Sequence, residues 1–195
     1  MPAETDTASA AEGRLFVVSA PSGAGKTTLC NAARARLPEL VYSISSTTRA
    51  PRAGEVAGKD YFFVSEAQFR DGIQAGQWAE WAKVHDHFYG TSARFIDTHL
   101  ADGRDVLLDI DVQGARQILE RYPQAVTIFI MAPSMDILRE RLIARGQDDP
   151  AVIEKRLKNA QSEIACKGWY RHVLVNDDLD SAIERFVSIL KGEAD

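Results

Sequence analysis

"RLFVVSAPSGAGKTTLCNAARARL", residues 14–37, reads as three parts in succession. Arg14–Ala20 is a short apolar run ended by Pro21 and a glycine, the mark of a buried strand. From Lys26 onward Leu29, Ala32, Ala33 and Leu37 recur at helical spacing, and Pro38 closes the helix. Between them lies a loop close to the phosphate-binding pattern G-x-x-x-x-G-K-[ST]. Anchored on Gly25-Lys26-Thr27, that pattern asks for glycine at position 20, where this chain has Ala20. The chemistry is otherwise complete. Gly23, Ala24 and Gly25 let backbone N–H groups converge on an anion, and Pro21 stiffens the approach. Lys26 supplies a point charge, Thr27 a hydroxyl for Mg2+, and the helix turns its positive dipole end toward the phosphates. The competing reading is a glycine-rich turn with an exposed lysine; G-K-T-T between strand and helix favours a nucleoside triphosphate.

Three more apolar runs, 104–110, 125–131 and 172–176, each precede a helical pattern. Unalternated strands separated by helices predict a doubly wound parallel sheet covered on both faces. Residues 41–99 break the rhythm. "VYSISS", "DYFFV" and "EWAKV" read as short strands, and Ser65-x-x-Gln68 as the capping box of a small helix. They predict an inserted α+β lobe. Residues 134–168 form a second insertion, a helical lid divided by "GQDDP", with Asp149 and Pro150 as N-cap and first helical residue. The sheet core then comprises about 14–40, 100–133 and 169–195 of a single domain, after a small polar tail, 1–13, expected to be disordered.

The totals exclude several classes. The chain has 195 residues, 45% hydrophobic and 26% charged, enough for one packed core. No run approaches the roughly 20 apolar residues of a membrane span, and the start lacks the features of a secretory signal. A net charge of −5 argues against a nucleic-acid footprint, so anionic ligands must meet locally concentrated cations. Cys30 and Cys166 are far apart and read as small buried residues in a reduced, cytoplasmic compartment. Trp78 and Trp81 read as lobe core rather than a base platform, and His85, Asp86 and His87 lack the further ligand a metal needs.

The loop names a donor and not a reaction. That information lies in "SISSTTRAPRAGEVAGKDYFFV", residues 43–64. Arg49 and Arg52 flank Pro51 and could clamp a phosphate, with Tyr61 adding a hydroxyl; on residue type alone they are equally exposed loop arginines. The segment resembles the guanylate kinase signature T-T-R-x-x-R-x-x-E-x-x-G-x-x-Y-x-F. "SAPSGAGKTT", "WAEWAKV", "YGTS", "LLDIDVQGA", "RLIARGQDD", "KRL" and "VNDD" resemble further blocks of that family in the expected order, across about residues 14 to 190. In the family's own loop alanine or glycine opens the motif, which accommodates Ala20.

The resemblance implies transfer of the γ-phosphoryl group of ATP to GMP, and to dGMP, with Mg2+. The ATP site it implies is Ala20, Pro21, Ser22, Gly23, Ala24, Gly25, Lys26, Thr27 and Thr28, with Arg141, Arg145 and Asn176. Ser45 and Glu80 would read the guanine edge, with Asp111 at the 2-amino group; guanine offers N1–H and 2-amino donors, both of which adenine lacks. On residue type alone Glu80 is a solvated charge. Arg49, Arg52, Tyr61 and Tyr89 would hold the GMP phosphate, and Thr91 stands where the family often has serine. Lys26, Arg49, Arg145 and Arg156 are the implied catalytic cations; a solvated basic helix face is the alternative for the lid arginines, Arg141 above all. Asp109, at a strand's C-terminal end and counted by the resemblance with the GMP site, could hold Mg2+ through water, orient Lys26, or cap the next helix. Asn176-Asp177-Asp178 reads first as a helix cap, with Asn176 near the adenine as the alternative. Two rival functions are a protein-binding module that has lost catalysis and a kinase of another phosphorylated acceptor. The intact Gly25-Lys26-Thr27 and the pair Ser45 and Glu80 argue against them.

Overall fold

All five residues of the first strand, β1 (Leu15–Ser19), are buried. Leu15 and Val17 join one apolar layer, Phe16 and Val18 another. A strand buried on both faces must lie inside a sheet with helices on each side. The computed structural model, which describes residues 12–84, 86–146 and 149–194, has that arrangement. After β1 come α1 (Lys26–Arg36) and a short strand, β2 (Val41–Tyr42). A lobe follows: β3 (Ser46–Thr47), β4 (Phe62–Phe63), α2 (Glu66–Gln74), β5 (Trp78–Val84), β6 (His87–Ser92) and α3 (Ala93–Ala101). The chain returns through β7 (Val106–Asp109), α4 (Val112–Arg121) and β8 (Val126–Met131). It ends with α5 (Met135–Ala144), α6 (Pro150–Ala165), β9 (His172–Val175) and α7 (Leu179–Lys191).

The main sheet has the order β2-β7-β1-β8-β9, and every neighbouring pair is parallel. On one face Phe16, Leu107, Ile128 and Leu174 pack with Leu29 of α1 and Phe186 of α7. On the other, Val17, Leu108 and Phe129 pack with Ile96 of α3 and Ile118 of α4. The doubly wound α/β architecture expected from the sequence is present. All the strands therefore point their C-terminal ends at one edge, where the loops carrying Ala20–Gly25, Asp109–Asp111 and Asn176 converge.

The second sheet, β4-β3-β6-β5, is mixed, with β3 parallel to β4 and antiparallel to β6. The capping box starts α2 as read: Gln68 N donates to Ser65 Oγ (3.2 Å) and Ser65 N to Gln68 Oε1 (2.8 Å). Phe69 of α2 stacks on Trp78 at 4.3 Å and on Phe88 at 5.3 Å, forming the small core of the lobe.

Several local expectations change. "VYSISS" is two strands, not one. Val41 N donates to Asp105 O (2.9 Å) and Ser43 N to Leu107 O (3.0 Å), so the first half belongs to the main sheet. Strand β6 escaped the reading because its glycine and serine blur the alternation. Trp78 is lobe core as expected, but Trp81 is over a third exposed. Cys30 is buried and its thiol is pushed up to about 12 by desolvation, which leaves it inert. Cys166 is only half-buried, its Sγ donating to Ser162 O at 3.4 Å. Asp149 and Pro150 take the N-cap and first helical positions, though Asp149 makes no side-chain cap hydrogen bond. The first eleven residues, His85, and Gln147-Asp148 of "GQDDP" lie outside the described residues.

Phe186, fully buried between α7 and the sheet, dominates one layer. Phe186→Ala should lower the unfolding free energy by about 3–5 kcal/mol in urea titrations.

Candidate active site

Two glycines give the loop after β1 its shape. Gly23 (φ 93°) and Gly25 (φ 96°) both sit in the left-handed region, where a side chain is strained. Gly25 occupies the N-cap of α1, so no side chain covers the helix's first N–H groups, and the first turn carries no acidic residue. An open N-terminus of this kind attracts an anion. Ala20 is half-buried against the apolar layer, which accounts for a methyl where the strict pattern has glycine. The loop is pinned from across the sheet. Asn176 Nδ2 donates to Ala24 O (2.8 Å), and a Cβ on Gly25 would stand 2.2 Å from that same nitrogen. Arg141 Nη2 donates to Asn176 O (2.9 Å). The cap of α7 is Asp178, which accepts from Ser181 N at 2.9 Å, so capping does not fall to Asn176. Its side-chain amide, buried, braces the loop.

Lys26 forms an ion pair with Asp109 and donates to Ile110 O (3.3 Å). The Tyr42 hydroxyl donates to the other carboxylate oxygen of Asp109 (3.2 Å). Burial, then the Asp109 charge, raises the Tyr42 pKa, so the hydroxyl stays protonated and donating. Capping of α4 falls to Asp111, whose Oδ1 accepts from Gln113 N (2.9 Å) and Gly114 N (2.8 Å). Of the three uses open to Asp109 in the sequence, this arrangement shows the orientation of Lys26 and excludes the cap.

Beside this cluster, Lys26, Asp109 and Asp111 share a cavity of about 330 Å³ with Ser45, Tyr61, Glu80 and Tyr89 of the lobe. That is the size of a small-ligand site. An adjoining polar cavity of about 280 Å³ is lined by Lys26, Thr27, Ser45, Tyr61 and Asp109. Glu80 is only 6% exposed, and the buried Thr91 hydroxyl donates to its Oε1 (2.7 Å). Desolvation pushes the Glu80 carboxyl up to about 7; the Thr91 hydrogen bond opposes that rise and the Asp111 charge adds to it. Thr91 thus stands behind Glu80, in contact with it.

Arg49 sits at the mouth of the lobe. Its Nη2 donates to Glu55 Oε1 (2.8 Å) and its Nε to the Tyr89 hydroxyl (3.3 Å), and its guanidinium lies 5.5 Å from the Tyr61 ring centroid. Glu55 Oε2 accepts from Arg52 N (2.8 Å), so one carboxylate holds the Arg49 guanidinium and the Arg52 backbone. On the lid side Arg156 Nη1 donates to Ser22 Oγ (3.2 Å). Arg145 is exposed at the C-cap of α5. The sequence-predicted residues therefore fall into three groups: loop with Asp109, lobe cavity, and lid arginines. Glu55 and Tyr42 were missed as site residues. Glu55 stands in the quoted signature; Tyr42 gives no sign in sequence, because its partner is 67 residues away.

A family model described as guanylate kinase matches residues 12–193. The guanylate kinase of Geobacter metallireducens is 49% identical over 182 residues, covering 93% of this chain and 90% of that protein. The guanylate kinase of Thermotoga maritima is 43% identical over 182 residues, covering 93% and 88%. A crystal structure of guanylate kinase from Anaplasma phagocytophilum superposes with a TM-score of 0.75 at 36% identity, covering 94% of this chain and 87% of that one. A phosphate-binding loop joined to an acidic lobe cavity is thus found in a chain that matches one family along nearly its whole length. The chain belongs to the guanylate kinase family.

Proposed function

We propose that the protein transfers the γ-phosphoryl group of ATP to GMP, and to dGMP, yielding ADP and GDP or dGDP. The observation that carries this reading is the placement of a buried carboxylate, Glu80, in the same cavity as the loop lysine, Lys26. The loop from Ala20 to Thr28 takes the ATP phosphates on its backbone N–H groups, with Arg141, Arg145 and Asn176 on the lid and nucleoside side. Ser45, Glu80 and Asp111 take the guanine edge, with Thr91 holding Glu80 in place. Arg49, Arg52, Tyr61 and Tyr89 take the GMP phosphate. Adenine in this cavity would leave a desolvated carboxylate unpaired, which is costly.

Phosphoryl transfer spreads negative charge over the moving group, so the protein's task is positioning and neutralisation. Lys26 leaves Asp109 for the outer phosphates. Arg49, Arg145 and Arg156 close on the transferred group from lobe and lid. Thr27 and Asp109 line one polar cavity and offer the hard oxygen donors that Mg2+ favours. Thr27 would bind the ion directly and Asp109 through water; the ion would neutralise phosphate charge. Among the described residues no group of three acidic, histidine or cysteine side chains forms a metal cage, consistent with an ion held largely by phosphates and water. The outer parts of lobe and lid would close around the two nucleotides, while β2 and α3 stay packed on the main sheet and Leu138 and Leu142 in its apolar layer. We assign this reaction to the cytoplasm, with ATP and GMP rather than nucleic acid or membrane as the partners. Among the described residues no helix is long and apolar enough to cross a membrane.

Measured as ADP release from ATP and Mg2+, turnover should be high with GMP, present with dGMP and at least two orders of magnitude lower with AMP, CMP or UMP. Equal use of AMP and GMP would end the guanine-edge assignment. Lys26→Ala should lower kcat by about 10²–10³-fold while calorimetry still detects GMP binding; loss of that binding would show the two half-sites wrongly divided.

The Glu80 carboxyl, titrating near 7, predicts a pH effect. Guanine donors need the ionised form, so KM for GMP should rise about tenfold between pH 8 and pH 6, and Glu80→Gln should abolish that slope. The stability sign is opposite. The folded-state value lies above the ordinary 4.5, so the contribution is full below about pH 4.5 and is lost as pH rises through 7.

A further inference from the structure

Helix α4 carries a glycine at its third position with no backbone reason for one. Gly114 lies within the helix and is absent from the positive-φ glycines. Its N–H donates to Asp111 Oδ1 (2.8 Å), a bond any residue would keep. Alanine would favour the helix. The reason for glycine is in the space beside it. A Cβ built there would stand 2.7 Å from Glu80 Oε2 and 3.2 Å from Glu80 Cδ; the next neighbour, Ile110 Cδ1, is at an ordinary 3.4 Å.

The strand cannot retreat to make room. Gln117, one turn along α4, closes a reciprocal pair with the residue after Glu80: its Nε2 donates to Trp81 O (2.9 Å) and its Oε1 accepts from Trp81 N (3.1 Å). The α4 helix thus clasps the β5 backbone at Trp81. Thr91 Oγ1 holds the other Glu80 oxygen at 2.7 Å. The part free to yield is the end of the Glu80 side chain, and yielding would turn the carboxylate out of position.

We infer that Gly114 is a positioning residue for acceptor recognition: its missing side chain is the slot that holds the Glu80 carboxylate in the orientation that meets the base. Gln117 keeps that slot at a fixed distance. The inference rests on the reading that Glu80 contacts guanine. It assigns the glycine to recognition, at the expense of helix stability.

The test is Gly114→Ala, compared with Glu80→Gln. Gly114→Ala should keep or raise Tm, by up to a few degrees. KM for GMP should rise about tenfold, with kcat at saturating GMP and KM for ATP changed less than about twofold. The preference for GMP over inosine monophosphate, which lacks the 2-amino group, should shrink by a similar factor. A cycle with Glu80→Asp separates positioning from packing, because the shorter side chain withdraws from the new methyl. Gly114→Ala should then add little to the KM for GMP of Glu80→Asp. The inference is overturned if Glu80→Gln raises KM for GMP and Gly114→Ala does not. It is overturned equally if Gly114→Ala lowers Tm or prevents folding, or if the two substitutions add independently. If Glu80→Gln itself leaves KM for GMP unchanged, the guanine reading fails and this inference with it.

Discussion

Two of the cations proposed to meet phosphate rest on carboxylates. Lys26 rests on Asp109, and Arg49 on Glu55. These pairs keep the flexible side chains near the places they would serve, and both are partly shielded from solvent. Glu80 is treated in the opposite way. Among the described residues it meets a hydroxyl and no cation, and burial raises its pKa toward neutrality. A carboxylate already satisfied by arginine would make a poor acceptor for the neutral N–H donors of a base. The division is electrostatic: paired charges on the side proposed for phosphate, a carboxylate that meets no cation on the side proposed for the base.

The backbone arrangement serves this division. The parallel sheet brings the loop, the ends of β7 and β9 and the start of α4 to one edge. Alternate residues around Asp109–Asp111 then do different work. Asp109 faces Lys26, and Asp111 turns to cap α4. The same helix braces β5, so the core supports the lobe next to the residue that lines its cavity. Lid helix α5 is also tied to the core. Leu138 and Leu142 lie in the main apolar layer, and a Cβ on Gly23 would come within 3.2 Å of both.

Much of this was legible in the sequence where the signal is local. The apolar runs around Val17, Leu108, Ile128 and Val173 announce buried parallel strands, and Ser65 with Gln68 announces the start of α2. The family blocks led to the cavity residues Ser45, Tyr61, Glu80 and Tyr89. Side chains whose partners are distant in sequence were not legible. Tyr42 meets Asp109, Gln117 meets Trp81, and Asn176 meets Ala24, across 67, 36 and 152 residues respectively. No period or propensity in a single chain carries such pairings. Asn176 shows the effect clearly: beside two aspartates and before a helix it reads as a cap, yet it belongs to the loop. Strand β2 was misplaced for a related reason, since two residues cannot declare which sheet they will join.

That brace has a consequence for synthesis. The amide that holds Ala24 belongs to Asn176, 152 residues further along the chain. On the ribosome the loop emerges without its brace and waits for it until the residues between them have been translated. Contacts of such long sequence separation carry a large loop-closure entropy and slow folding. The loop is thus shaped by a side chain made long after it, so a product truncated before β9 would keep the loop sequence and lose the side chain that holds its shape.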